Sequence, residues 1–272
     1  MQDLLSIYPP TVWMVLLATG ILVGVLAGLL GVGGGVVSVP ILLDVFAAIG
    51  VPQATLTPLA IGTSQACILI ASLSAAYAHW RGGTIDRGLV RSWLPALAAG
   101  TAMGLVLTPF APAKVLTGLF AVAAAALAVK MALGNRLVLA HRQPQGAAFH
   151  LAPGLVGALS SAVAVGGGTL STPVLSLFSF PLHRAIGAGA LFNLVVALPS
   201  TVAFIAAGWG VPGRPGDAIG DVALFCVAAV SLPALFVAPL AARWSKQVPL
   251  LLLRRLFALC LGVIAVRLLL FL

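Results

Sequence analysis

With 272 residues, of which 61% are hydrophobic and only 7% charged, and a mean hydropathy of +1.18, the chain is too apolar to be a soluble domain. Its net charge of +9 would suggest nucleic acid in a soluble protein, but here the cations lie between apolar runs, where they set orientation, so nucleic acid is excluded as a partner. The runs last about 20 residues rather than about 10 and carry no strand alternation, which excludes an outer-membrane barrel and leaves an all-α polytopic protein whose first partner is the lipid bilayer.

Ten apolar segments follow one another, roughly 11–31, 36–49, 56–80, 89–110 and 113–134, then 148–165, 169–180, 185–208, 221–240 and 249–271. Asp3 precedes the first, with no Lys or Arg, so it reads as a retained span rather than a cleaved signal peptide. Gly20, Gly24 and Gly28 then make successive small-xxx-small steps, and Gly100 with Gly104 makes another, each marking a close helix contact.

The first segment runs into Gly31-Val32-Gly33-Gly34-Gly35-Val36-Val37-Ser38-Val39-Pro40, and residues 164–173 repeat the glycine triplet, serine and proline as Ala164-Val165-Gly166-Gly167-Gly168-Thr169-Leu170-Ser171-Thr172-Pro173. Each glycine costs a helix about 1 kcal/mol, so both helices should break there. A break within lipid must be shielded by protein or line a cavity. The short segments beyond the breaks reach only about 21 and 18 Å against a hydrocarbon core of roughly 30 Å, which places each break recessed in the membrane.

The likeness of the halves continues. Ala60-Ile61-Gly62-Thr63-Ser64 is answered by Ala185-Ile186-Gly187-Ala188-Gly189, and Ala128-Val129-Lys130-Met131 by Ala265-Val266-Arg267-Leu268. A polar linker over 134–145 joins two repeats, 1–140 and 141–272, within one transport domain. With all ten segments crossing and both termini outside, the inner loops collect Arg81, Arg87, Arg91, Arg136, Arg142, Arg184, Arg243, Lys246, Arg254 and Arg255. The outer side is left with Lys114, Arg214, Arg267 and four of the five aspartates. The positive-inside rule favours this over short segments that dip in and return, and five crossings per half make the repeat inverted.

A helix that starts at a glycine break points its unpaired amides and the positive end of its dipole at one spot, which suits an anion. The candidate substrate site therefore takes Gly33, Gly34, Gly35 and Ser38 from the first break. From the second it takes Gly166, Gly167, Gly168, Thr169 and Ser171. The bland alternative is that the glycines allow close crossing while the hydroxyls bond back to the preceding turn. Thr63, Ser64 and Gln65 extend the candidate site in the first half, and Asn193 does so in the second. Gln65 and Asn193 are either ligand donors or interhelical glue, since an unpaired amide is costly in such helices.

Outside these clusters the sequence offers little chemistry. It has no Glu, and Asp44 falls at the outer end of its short helix, so no carboxylate relay is visible. His79, Trp80 and Arg81 read as an interfacial anchor, while His183 and Arg184 read as orienting residues or as lining of an inner vestibule. Cys67, Cys226 and Cys260 have no C-x-x-C spacing and read as small core residues, so neither a metal nor another cofactor is called for. No nucleophile motif or phosphate loop is present, which argues against an enzyme.

The duplicated glycine pattern, Ala60-Ile61-Gly62-Thr63-Ser64 and the basic loop Arg81-Gly82-Gly83-Thr84-Ile85-Asp86 resemble the sulfite exporter TauE/SafE family over nearly the whole chain. The second half departs from the Gly-Thr-Ser pattern at Gly187-Ala188-Gly189. The resemblance implies a multi-pass permease of the bacterial inner membrane for small sulfur-containing anions such as sulfite or organosulfonates, and export is the direction expected. A channel with paired half-helices, or a permease for another small anion or neutral solute, is the rival, followed by an intramembrane enzyme or scaffold. Assembly into a homo-oligomer is left open. The topology is checked with reporters: one active only in the periplasm should score at the C-terminus and stay silent after Gln143, and the opposite result at either place would overturn ten crossings.

Overall fold

The computed structural model describes residues 7–110, 113–134, 147–163 and 165–270. The linker expected over 134–145 therefore lies outside the described residues except for Gly134, as does Ala164 of the second glycine motif. Ten α-helices are described: α1 Pro10–Leu30, α2 Gly35–Ala48, α3 Gln53–Arg81, α4 Arg87–Leu107, α5 Ala113–Leu133, α6 Ala147–Ala162, α7 Gly167–Leu177, α8 Leu182–Gly208, α9 Leu224–Trp244 and α10 Leu250–Leu270. The predicted segments match these within a few residues. Among the described helices, α1, α3, α4, α8 and α9 are both long and apolar enough to cross a membrane.

Helix ends follow local chemistry. α1 starts with Pro10 in its first turn, where a missing N–H costs nothing, and ends at Gly31, whose φ of 68° turns the chain out of the helix. The amide of Gly31 then bonds Ala27 O and that of Val32 bonds Leu26 O. α4 is capped by Asp86, whose carboxylate accepts from the Leu89 amide at 3.0 Å.

One predicted loop has more structure than its sequence reading allowed. Between α8 and α9, Ala218–Ile219 (β1) pairs antiparallel with Val222–Ala223 (β2), which delays α9 to Leu224. The turn is Gly220-Asp221, with Gly220 at φ 56°, a two-residue hairpin signal that sequence reading passed over.

The halves interlock rather than sit side by side. α1 packs along α9, α4 along α6, α3 along α8 and α5 along α10. Exchanging first-half for second-half helices turns the α1–α9 pair into the α6–α4 pair and maps the other two pairs onto themselves. One hydrophobic cluster is drawn almost entirely from α1, α2, α3 and α9, the other from α4 through α8 and α10. By this division the second half lends α9 to the first cluster, and the first half lends α4 and α5 to the second.

Small residues make both exchanged contacts. A Cβ on Gly28 would lie 2.1 Å from Ala238 O, and one on Gly100 would lie 2.0 Å from Gly154 O. His79 also departs from the interfacial role expected of it. It is buried, with Nε2 donating to Gly28 O at 2.9 Å and Nδ1 3.0 Å from Thr84 Oγ1, so it ties the end of α3 to α1. Trp80 and Arg81 are exposed as an interfacial pair should be, with the Arg81 guanidinium 5.8 Å from the Tyr77 ring centre. Cys67 and Cys226 are buried free thiols, as expected of core residues.

Because backbone blocks any added methyl at these crossings, Gly28→Ala and Gly100→Ala should each lower stability by about 1–3 kcal/mol. Gly262→Ala, with nothing within 4 Å of the new methyl, should be neutral or gain up to about 1 kcal/mol. Thermal unfolding in detergent checks the ranking.

Candidate functional site

Both chain breaks fall where the glycine triplets place them, but they are built differently. The first uses left-handed backbone, with Gly33 at φ 82° and Gly34 at φ 83°, conformations that other residues rarely adopt. In the second, Gly166 sits at φ −53°. Its glycines are needed for proximity: a Cβ on Gly168 would lie 1.9 Å from Gly31 O and 2.6 Å from Gly189 O.

The two breaks therefore meet, and Asn193 of α8 clasps them. Its Nδ2 donates to Gly31 O at 3.0 Å, and its Oδ1 accepts from the Gly168 amide at 2.7 Å. Thr169 Oγ1 adds a bond to Val32 O at 3.0 Å, again from one break to the other. Gly33 faces Asn193 and Ile68, and Gly166 faces Asn193, each so closely that a methyl would clash. Of the two roles weighed for Asn193, this geometry is that of interhelical glue, since both ends of its amide are taken by backbone.

Around the clasp the remaining predicted residues fall into two groups. Ser38 and Ser64 bond each other at 2.6 Å, joining α2 to α3, and Ser38 also reaches back to Gly34 O at 3.3 Å. Thr63 Oγ1 accepts the Ala223 amide at 3.0 Å, which ties the end of the hairpin to α3 beside Ser64 and Gln65. A Cβ on Gly62 would lie 2.2 Å from Asp221 O, which fixes the hairpin against α3. The hairpin is held from above by the buried pair Arg214–Asp221, with Arg214 Nε 2.8 Å from Oδ1, and by Tyr8, whose hydroxyl donates to Asp217 at 2.9 Å and whose pKa is raised mainly by burial.

Gln65 and Ser171 form the second group. Both are fully buried, and neither amide atom of Gln65 nor the hydroxyl of Ser171 finds a partner among the described residues. The position that answers Ser64 in the second half is Gly189, which has no hydroxyl to offer, whereas Ser38 has Ser64. Gly34, Gly35 and Gly167 are buried against their own helices' neighbours, Val23 facing Gly34 and Phe192 O facing Gly167.

A titratable group sits outside this centre. Lys130 of α5 is buried, and its ammonium donates to Ser176 O at 2.8 Å and to Ser176 Oγ at 2.6 Å. It thus places a cation at the C-terminal end of the short helix α7, where the dipole favours one. Sequence reading saw its counterpart in Arg267 but not this capping role.

Ten interlocked helices, two of them short and broken at glycines that meet in the interior, define a polytopic α-helical membrane transporter. The chain belongs to the sulfite exporter TauE/SafE family, whose model matches residues 16–268. A "Probable membrane transporter protein" of Haemophilus influenzae is 31% identical over 257 residues, covering 92% of this chain and 95% of that protein. One of Methanocaldococcus jannaschii, also described as a probable membrane transporter protein, is 28% identical over 173 residues, or 63% of this chain and 64% of its own. No solved structure matches the chain.

Removing the clasp leaves the Gly31 carbonyl and the Gly168 amide buried and unpaired, each worth about 1–3 kcal/mol. Asn193→Leu should therefore cost about 2–6 kcal/mol. Ser64→Ala, which leaves Ser38 its bond to Gly34 O, should cost about 1 kcal/mol. Melting curves in detergent that ranked the two equally would show that the clasp is not what holds the breaks together.

Proposed function

We propose that this transporter carries small sulfur-containing anions, sulfite or organosulfonates, across the bacterial inner membrane, in the outward direction, with its site beside the meeting glycine breaks. The observation that carries this reading is the unpartnered, fully buried amide of Gln65. An amide in that state costs the fold free energy, so it is best explained as a donor kept for a ligand. Ser64 and Ile68, which flank it within one turn of α3, touch Ser38 and Gly33, so Gln65 belongs to the same centre. Ser171 is the matching spare donor on the second short helix.

Neutral donors suit an anion that must also be released, and the family description, sulfite exporter, supplies the chemical class. The symmetric exchange of helices supports an inverted repeat, in which the two bundles rock about the shared centre and open it to each side in turn. All of the donors are buried, so access requires that movement. Without a carboxylate relay in the spans, the membrane potential can drive the anion outward, at about 2.3 kcal/mol per 100 mV for each charge.

Sulfite flux from proteoliposomes tests the reading. It should saturate with concentration, rise when the inside is made negative and fall when a potassium ionophore collapses the potential. Gln65→Leu should cut flux at least tenfold while leaving the melting temperature unchanged or raised, because it deletes an unpaired buried amide. Undiminished flux in that variant removes Gln65 from the site. Unsaturating flux makes the protein a channel, and flux driven by a proton gradient alone ends the electrophoretic mechanism.

A further inference from the structure

A recess lies where the end of α3, the start of α4 and the middle of α8 converge. It is a groove of about 410 Å³, walled by Leu73, Tyr77 and Trp80 of α3, Val90 of α4 and Leu191 of α8. Leu73, Tyr77 and Trp80 are spaced four and three apart and form one stripe on α3, and they are 60%, 56% and 56% exposed. In a membrane helix such a stripe faces hydrocarbon. Tyr77 and Trp80 contact each other at 6.1 Å between ring centres, the kind of amphipathic pair that sits at headgroup level.

Charge is confined to one end. Arg87 and Arg91, one turn apart on α4, both line the groove and are both exposed. Arg81 stands beside them over the Tyr77 ring, and Lys246 donates to Gly82 O on the same loop. The nearby carboxylate, Asp86, is already engaged by Arg184 at 3.3 Å and by the Leu89 amide. The groove thus pairs an apolar trough with a cationic mouth, at the end of the helices that the positive-inside rule assigns to the cytoplasm, where the leaflet carries anionic lipid.

We propose that this groove binds one anionic phospholipid of the inner leaflet, with its phosphate between Arg87 and Arg91 and an acyl chain along Leu73, Tyr77 and Leu191. A free anion would gain nothing from the aliphatic walls, and a zwitterionic lipid would leave the arginine pair with net excess charge. The site spans the seam between the two clusters, since Leu191 of α8 packs on the cluster that holds α3 and Val90 of α4 packs on the other. The bound lipid therefore touches both parts that transport requires to move.

Native mass spectrometry of the purified full chain, titrated with phosphatidylglycerol or phosphatidylcholine of matched chains, tests this. Wild type should hold one phosphatidylglycerol at least tenfold more tightly than phosphatidylcholine. R87Q/R91Q should reduce that preference to under twofold, while R255Q, on an exposed arginine of α10, should keep it. Leu73→Gln should weaken both lipids together and leave the preference intact. The arginines are exposed, so folding of the variant is expected and is verified by an unchanged melting temperature. Equal binding of the two lipids by wild type, or a preference that survives R87Q/R91Q, overturns the proposal. Displacement by soluble glycerol phosphate at concentrations comparable to the lipid would reduce the groove to an anion site, and a loss of sulfite flux in R87Q/R91Q with lipid preference intact would assign it to the transported anion; either outcome ends the lipid reading.

Discussion

The fold depends on one contact that only glycine permits: the backbone of one chain break against the backbone of the other. Two peptide groups brought that close inside a membrane protein need their hydrogen-bonding capacity met, and beyond the helix ends no helix turn meets it. Asn193 does so with a single side chain, giving a donor to Gly31 O and an acceptor to the Gly168 amide. The approach of the two short helices' starts follows from that clasp. So does the position of α8, which must carry the amide to the meeting point.

Against this economy the spare polarity nearby stands out. Thr63, Ser38, Ser64 and Thr169 are all used, each joining two elements, while Gln65 and Ser171 are not. A core that merely needed packing would place apolar side chains at those two positions without loss. Ser72, Ser160 and Ser231 are likewise buried with hydroxyls unpaired among the described residues, so what singles out Gln65 is an amide with both of its polar atoms unpaired beside the two breaks.

Much of the architecture was legible in the residues. Ten segments, both breaks and the tight crossings of Gly20, Gly24, Gly28, Gly100 and Gly104 are local signals, carried by hydropathy and by small-residue spacing. What was not legible depends on partners distant in sequence. His79 has an interfacial neighbourhood in the chain, beside Trp80 and Arg81, yet is buried because Gly28 and Thr84 receive it. The two glycine motifs look alike but work differently, one by left-handed backbone and one by proximity, and only their contact distinguishes them. The hairpin was announced by Gly220-Asp221, but its strands of two residues are too short for periodicity to register. In the site, sequence could name Gln65 and Asn193 as exceptional without separating them. The distinction between a satisfied and an unsatisfied amide lies wholly in the third dimension.

The exchange of α4 and α9 between the halves bears on how the chain is made. A ribosome delivers α1 early, yet the helix whose surface fits its glycines is the ninth, and α4 must wait for α6 beyond the linker. During synthesis the first half stands in the bilayer with the small-residue faces of α1 and α4 turned to lipid or to transient neighbours. The second half then arrives into a half-built frame and closes it by packing α6 and α9 onto those faces. Neither half completes a bundle of its own, so the two halves form one cooperative object, with its last step of assembly deferred until the end of translation.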